Sequence, residues 1–222
     1  MKYCKTLVFL LILISNSVAT AGGRIGAYFI YMSPYGSSAT DYSNPGLGVG
    51  IRAVVPIAPI DPICAFVIGG EVVDLASKTI DIHQNGDTYQ QTTTQSYSRF
   101  LIGVQIGGYD DNLLRPYAGL HLAVIHYRVD DELIYPDDTR DHLGGSGKTI
   151  FGCDMTFGLN VNFHNLWDID VGVRYLKSFS LPQQFGTSLT TVHPEYFQFY
   201  LGAGISLDLL SEIVPWNKTD HD

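Results

Sequence analysis

The chain has 222 residues, with 13 Lys and Arg against 22 Asp and Glu, a formal net charge of −9. An acidic chain of this kind argues against nucleic-acid binding, because phosphate backbones call for a basic surface. Mean hydropathy is +0.10. That is high for a chain in which no later stretch offers the ~18 uncharged apolar residues of a membrane helix.

The first residues, Met1-Lys2-Tyr3-Cys4-Lys5, are basic; residues 6–14 are apolar; Ala19-Thr20-Ala21 are small. This order is that of a secretory signal peptide, so residues 1–21 are expected to be cleaved and the mature chain to begin near Gly22. Cys4 precedes the apolar run and is not placed for lipid attachment. The mature chain loses Lys2 and Lys5 and no acid, leaving 11 basic against 22 acidic residues, a balance of −11. Its two cysteines, Cys64 and Cys153, sit far apart in strand patterns and read as unpaired small apolar residues.

From there the chain alternates. Residues 24–32 place Ile25, Ala27, Phe29 and Tyr31 on one face of a first strand. Residues 33–43 form a polar loop. The second strand, 45–55, turns Leu47, Val49, Ile51, Ala53 and Val55 one way and Gly46, Gly48, Gly50 and Arg52 the other. The Pro-rich segment 56–62 cannot continue a ladder. In the third strand, 63–74, Cys64, Phe66, Ile68 and Val72 face outward and Glu71 inward. A long polar loop, 75–95, is expected next. The fourth strand, 96–108, has Phe100, Ile102, Val104 and Ile106 out, with Arg99, Gly103, Gln105 and Gly107 in. After a tight turn the fifth strand, 115–129, alternates least cleanly. Ala123 and Ile125 are apolar there, as are Leu120, Leu122 and Val124.

An acidic, Gly-rich loop is expected over 130–147. It leads into the clearest element, a hairpin of two long strands. Phe151, Cys153, Met155, Phe157, Leu159, Val161 and Phe163 share one face; Asp154, Thr156, Asn160 and Asn162 lie on the other. After a short turn, Trp167, Ile169, Val171, Val173 and Tyr175 alternate with Asp168, Asp170, Gly172 and Arg174. Residues 177–193 read as another loop. The last strand, 194–209, carries Phe197, Phe199, Leu201, Ala203, Ile205, Leu207 and Leu209 outward against Gln198, Gly202, Gly204, Ser206 and Asp208. A short tail, 210–222, ends the chain.

The pattern predicts an all-β fold: an eight-stranded antiparallel up-and-down transmembrane β-barrel over residues 22–209. Connections alternate long and short, as in outer-membrane barrels. The charges decide which face is inside. Arg52, Glu71, Arg99, Asp154, Asp168, Asp170, Arg174 and Asp208 crowd the polar face. Unpaired charges are costly to bury in a greasy cavity, but a lumen can hold them as a paired network. The apolar face is too continuous to meet water and can meet lipid. Across the hairpin, Thr156 is expected opposite Arg174, with Asp154 diagonal to it. Arg128 and Lys177 face outward at the loop side; they either snorkel at the interface or touch outer-leaflet lipopolysaccharide. Tyr31, Tyr109, Tyr127, Trp167, Tyr175 and Trp216 cluster at strand ends, and those facing outward suit an interfacial belt.

With these eight strands the chain resembles the small outer-membrane barrels, the group of OmpX, the OmpA barrel domain and the opacity-type surface proteins. Residues 200–207 are similar to that group's insertion signal, with Tyr200 at the polar position, then Gly202, Ile205 and Leu207. The resemblance implies an outer-membrane location in a Gram-negative-type bacterium. It also implies contact with outer-membrane lipid or lipopolysaccharide, handling by barrel-insertion machinery and a monomeric state. Fold alone does not give a function.

No catalytic set is predicted. His126 faces outward, but Arg128 stands where a lipid A deacylase-like pair needs Ser, and no GxSxG is present. Gly144-Gly145-Ser146-Gly147-Lys148-Thr149 has His142 where a phosphate loop needs Gly, so it reads as a flexible loop. The acids of 130–141 match no calcium-loop spacing and the seven His no zinc spacing, so neither metal nor cofactor is expected. The function expected is structural or interactive, through four long loops that contact a surface or host ligand. The alternatives are a narrow pore or OmpW-like carrier of small hydrophobic molecules, for which the inward glycines leave space, and a lipid-modifying enzyme.

Overall fold

A computed structural model describes residues 23–41, 43–57, 64–84, 87–108, 112–135, 137, 139–163, 166–185 and 188–207. The expected signal peptide and tail, and with them Asp208, Tyr109 and Trp216, lie outside the described residues. The strands are β1 (Arg24–Tyr35), β2 (Gly46–Pro56), β3 (Cys64–Leu75), β4 (Lys78–Gln84), β5 (Asp87–Gly107), β6 (Leu114–Ile134), β7 (Arg140–Phe163), β8 (Trp167–Ser178), β9 (Leu181–Phe185), β10 (Ser188–Val192) and β11 (Glu195–Ser206). A single helical turn, α1 (Ser37–Thr40), follows β1.

Eight of these strands close a barrel. The order runs β3-β2-β1-β11-β8-β7-β6-β5, every pairing is antiparallel, and β5 pairs back onto β3. The alternation expected from sequence sets the faces. Phe29 is 73% exposed, Leu47 69% and Phe151 65%, whereas Glu71, Arg99, Asp154 and Arg174 are buried. One outward cross-strand row reads Ala203, Ala27, Ile51, Gly70, Phe100, Val124 and Phe151, without a charge. In β11 the outward apolar positions run from Phe197 to Ile205. Tilted as barrel strands are, that length matches an apolar band about 25 Å tall. Cys64 and Cys153 are free thiols.

The structure corrects the expected loops. Much of 75–95 is strand: β4 pairs with the first half of β5. Most of 130–147 is strand as well, since β6 continues to Ile134 and β7 begins at Arg140, with a register shift at Asp131/Glu132. The segment 144–149, expected as a flexible loop, is part of β7. Residues 177–193 hold the β9–β10 hairpin, and β1 extends to Tyr35 before α1. The reason is chemical. Above the apolar band the outer face of these strands turns polar and the inward apolar residues are few, Ile80 and Ile82 on β4 and Val129 on β6, so hydrophobic alternation is weak. Pairing and the Thr and Tyr residues carry the strand instead. The result is a four-stranded sheet, β4-β5-β6-β7, projecting beyond the barrel at the loop end.

Candidate functional site

The middle of the lumen is a closed ionic cluster. Arg99 Nη2 lies 2.6 Å from Glu71 Oε1 and its Nη1 3.1 Å from Asp154 Oδ2. Arg174 Nη1 lies 2.9 Å from Glu71 Oε2, and its Nε is 3.5 Å from Asp154 Oδ1. All four side chains are essentially sealed from solvent. Neutral donors complete the carboxylates. Tyr97 and Tyr28 donate to Glu71 at 2.8 and 3.2 Å, and Gln198 Nε2 donates to it at 3.0 Å. His121 Nδ1 is 2.6 Å from Asp154 Oδ1. Thr156 pairs directly across from Arg174 in the β7–β8 ladder and accepts from Arg174 Nε at 3.1 Å. A buried charge removed from water needs this degree of pairing to be tolerated at all.

Nearer the turn end a second layer crosses the lumen. Arg52 pairs with Asp170. Its Nη2 donates to the Tyr117 hydroxyl at 2.9 Å, and its guanidinium lies 5.3 Å from the Tyr117 ring centre and 5.4 Å from that of Tyr200. The Tyr117 hydroxyl also meets Asp170 Oδ1 and the Tyr200 hydroxyl, each at 2.5 Å. At the mouth, Arg24 reaches Asn160 at 2.7 Å and Asp168 at 3.2 Å. The cavity left there has about 30 Å³ of free volume, room for little more than a water or two.

The inward glycines do not leave the lumen empty. Tyr28 sits opposite Gly50 on one side and Gly202 on the other. Tyr117 faces Gly158, Tyr200 faces Gly172, and His121 faces Gly103. A Cβ at any of these glycines meets the facing ring or side chain at under 3 Å. The space that the alternative pore or carrier reading looked for at the inward glycines is taken at Gly50, Gly103 and Gly202: each is a seat for a ring. The lumen is also less uniformly polar than expected. Toward the loop end Ile30, Met32, Val73, Leu75, Ile125 and Leu176 join Tyr97, Tyr127 and Tyr196 in an apolar layer. Ala123 and Ile125 belong to it, which explains the poor alternation of the fifth strand. Tyr127 is an interior residue whose hydroxyl lies 2.9 Å from Ser178 Oγ, so it is not part of any outer belt.

The remaining site residues fall at the rims. Arg128 and Lys177 are exposed at the loop end, each beside an acid: Arg128 Nε is 3.3 Å from Asp130, and Lys177 Nζ is 2.7 Å from Glu195. Tyr175 donates to the same Glu195 at 2.6 Å. Of the last-strand positions, Tyr200 and Gly202 face the lumen, Ile205 faces outward, and the Leu207 amide donates to Gly23 at 2.7 Å. Sequence reading did not single out Arg24, Tyr28, Tyr97, Tyr117, His121 or Gln198 for the lumen network. Their inward parity was the available signal; the partners depend on register, which alternation does not supply.

On the projecting sheet the middle of the inner face is buried, with Gln91 and Thr93 donating to Asp131 at 3.2 and 2.5 Å. The outer face is a ladder of polar rungs. Ser77 meets Thr94 at 2.8 Å, Thr79 meets Thr92 at 2.9 Å, and Gln90 donates to Asp81 at 3.2 Å. Among the described residues no strand pairs with the outer edge of β4. At the β6–β7 tip, the Thr139 hydroxyl and amide donate to Asp137 and hold its carboxyl below its usual pKa.

A closed eight-stranded wall, an apolar belt and a charged, filled interior decide the architecture. This is a barrel of the outer-membrane type. No protein-family model and no curated protein matches the sequence. Among solved structures, the barrel superposes on Neisserial surface protein A with a TM-score of 0.55 at 13% identity, covering 83% of this chain and 97% of that one. It superposes on a major outer membrane protein of Thermus thermophilus with a TM-score of 0.51 at 9% identity, covering 83% and 99%. The attachment invasion locus protein Ail of Yersinia pestis follows at 0.46 and 11%, covering 84% and 99%. At these identities the likeness is one of fold.

Proposed function

We propose that this outer-membrane-type barrel resides in the outer membrane of a Gram-negative-type bacterium as a sealed monomer. It works from its outer end, in surface contact or envelope integrity, without a catalytic step. The single observation that supports this reading most is the contrast between the two ends of β5, β6 and β7. Inside the membrane band their inward side chains fill the lumen. Beyond it these strands, 21 to 24 residues in all, continue as a sheet. Such length is not needed to cross a bilayer, which takes about 9–11 residues per strand.

Among the described residues that sheet ends in an edge strand, β4, whose outer amides and carbonyls suit strand addition by an extended partner segment. Shortening the β6–β7 hairpin tests the reading. Replacing residues 131–144 with Asn-Gly joins the partners Asp130 and Gly145 by a two-residue turn. Cells carrying this variant are expected to lose attachment to host cells or coated surfaces while the barrel still runs as a heat-modifiable band. Full attachment by the shortened protein counts against the proposal.

A further inference from the structure

We propose that the outer face of the projecting sheet is a seat for the neutral sugar chain of an outer-leaflet glycolipid. The inference rests on the membrane placement proposed above. It begins with continuity. The lipid-facing row Phe100, Val124 and Phe151 is followed on the same face of the same strands by Ser98, His126 and Thr149, one row up. The polar ladder then rises from that row. Along β5 no turn or break separates the apolar belt from the ladder, so whatever stands directly above the acyl chains meets this face first. In a glycolipid leaflet that layer is sugar.

The chemistry of the face selects among headgroup components. Its arginines are already matched locally, Arg128 with Asp130 at 3.3 Å and Arg140 with Glu132 at 3.5 Å, while Asp81 accepts from the neutral Gln90. A phosphate-binding surface would present uncompensated arginines or lysines. What remains on offer is a flat array of hydroxyl and amide groups on paired strands, among them Thr79, Thr92 and Thr94, which are both donors and acceptors. Neutral hexose hydroxyls are donors and acceptors too. On the inner face the middle of the sheet is covered, with Gln91, Thr93 and Asp131 buried, whereas Thr79 and Thr94 of the outer face are exposed.

The test reads protection of this face in the folded mature protein, from Gly22 on. Thr92→Cys is placed in a background with Cys64→Ser and Cys153→Ser, and Asp137→Cys, at the hairpin tip, serves as the comparison site. Labelling by a membrane-impermeant maleimide is followed in three vesicle types: phospholipid alone, phospholipid with lipid A, and phospholipid with sugar-bearing lipopolysaccharide. Position 92 is expected to label several-fold more slowly only with the sugar-bearing lipid, with position 137 unchanged. Adding Thr79→Ala and Thr94→Ala should return position 92 to its plain-vesicle rate. Equal labelling in all three vesicles, in protein shown to be inserted by its heat-modifiable gel shift, overturns this inference and leaves the membrane reading standing. Protection already complete with lipid A alone overturns the choice of sugar. Failure to insert into any vesicle overturns the membrane reading and this inference together.

Discussion

Glu71 receives five donors: Arg99, Arg174, Tyr97, Tyr28 and Gln198. Because both arginines are buried, the carboxylate is what makes their burial tolerable. Glu71→Gln keeps the shape and removes the charge, leaving two guanidinium groups to share Asp154. Breaking one side of a buried ion pair costs about 3–5 kcal/mol. The variant is expected to unfold at clearly lower urea concentration in lipid vesicles, and a midpoint unchanged from the parent protein would show that water reaches the cluster. Lys177→Ala makes the contrasting case. Lys177 and Glu195 pair at the exposed rim, where an ion pair contributes about 0–1 kcal/mol, so the same measurement should barely move. In the sequence, the inward parity of Glu71, Arg99 and Arg174 was legible from the alternation of their neighbours. Which arginine meets which acid was not, because pairing across β3, β5, β7 and β8 depends on the closed register.

At the level of strands, the lumen is organised by rings set opposite glycines. Tyr117 projects from β6 over Gly158 of β7, and its hydroxyl then reaches Asp170 and Tyr200 on β8 and β11. The glycine is required because the ring occupies the volume a side chain would take. Gly158→Leu therefore overpacks the wall at a cost of about 1–3 kcal/mol. Truncating the ring as well, in Tyr117→Ala with Gly158→Leu, should recover part of the loss. The coupling between the two substitutions is measured by a double-mutant cycle, and strictly additive losses would mean that the two positions do not compete for space. Glycine alternation along β2, β5 and β11 was visible in the sequence, yet it read equally well as empty space. Distinguishing a seat from a void requires knowing that a tyrosine stands opposite, which is again a matter of register. The projecting sheet was hidden for another reason: β4 is short, with only Ile80 and Ile82 apolar on its inward face, and in the first half of β5 Thr and Gln occupy both faces, so a burial-based period has little to detect.

For the whole molecule, the question is whether one contact or the stack as a whole closes the lumen. Three layers succeed one another from the turn end: Arg52, Asp170, Tyr117 and Tyr200; then the cluster around Glu71 and Asp154; then the apolar layer of Ile30, Met32, Leu176 and their neighbours. An eight-stranded barrel has an interior that side chains just fill, so each layer spans the full cross-section. The folded protein is therefore expected to show no steady channels in a planar bilayer. Arg99→Ala empties one position in the middle layer but leaves the layers above and below intact, so this variant should be silent too, although less stable. Joint truncation in two layers, Arg99→Ala with Arg52→Ala, still faces the apolar layer and should pass at most brief, irregular events. Steady conductance opened by Arg99→Ala alone would mean that a single ion pair holds the pathway shut. The barrel would then be a gated pore, and the projecting sheet would lose its place as the principal working surface.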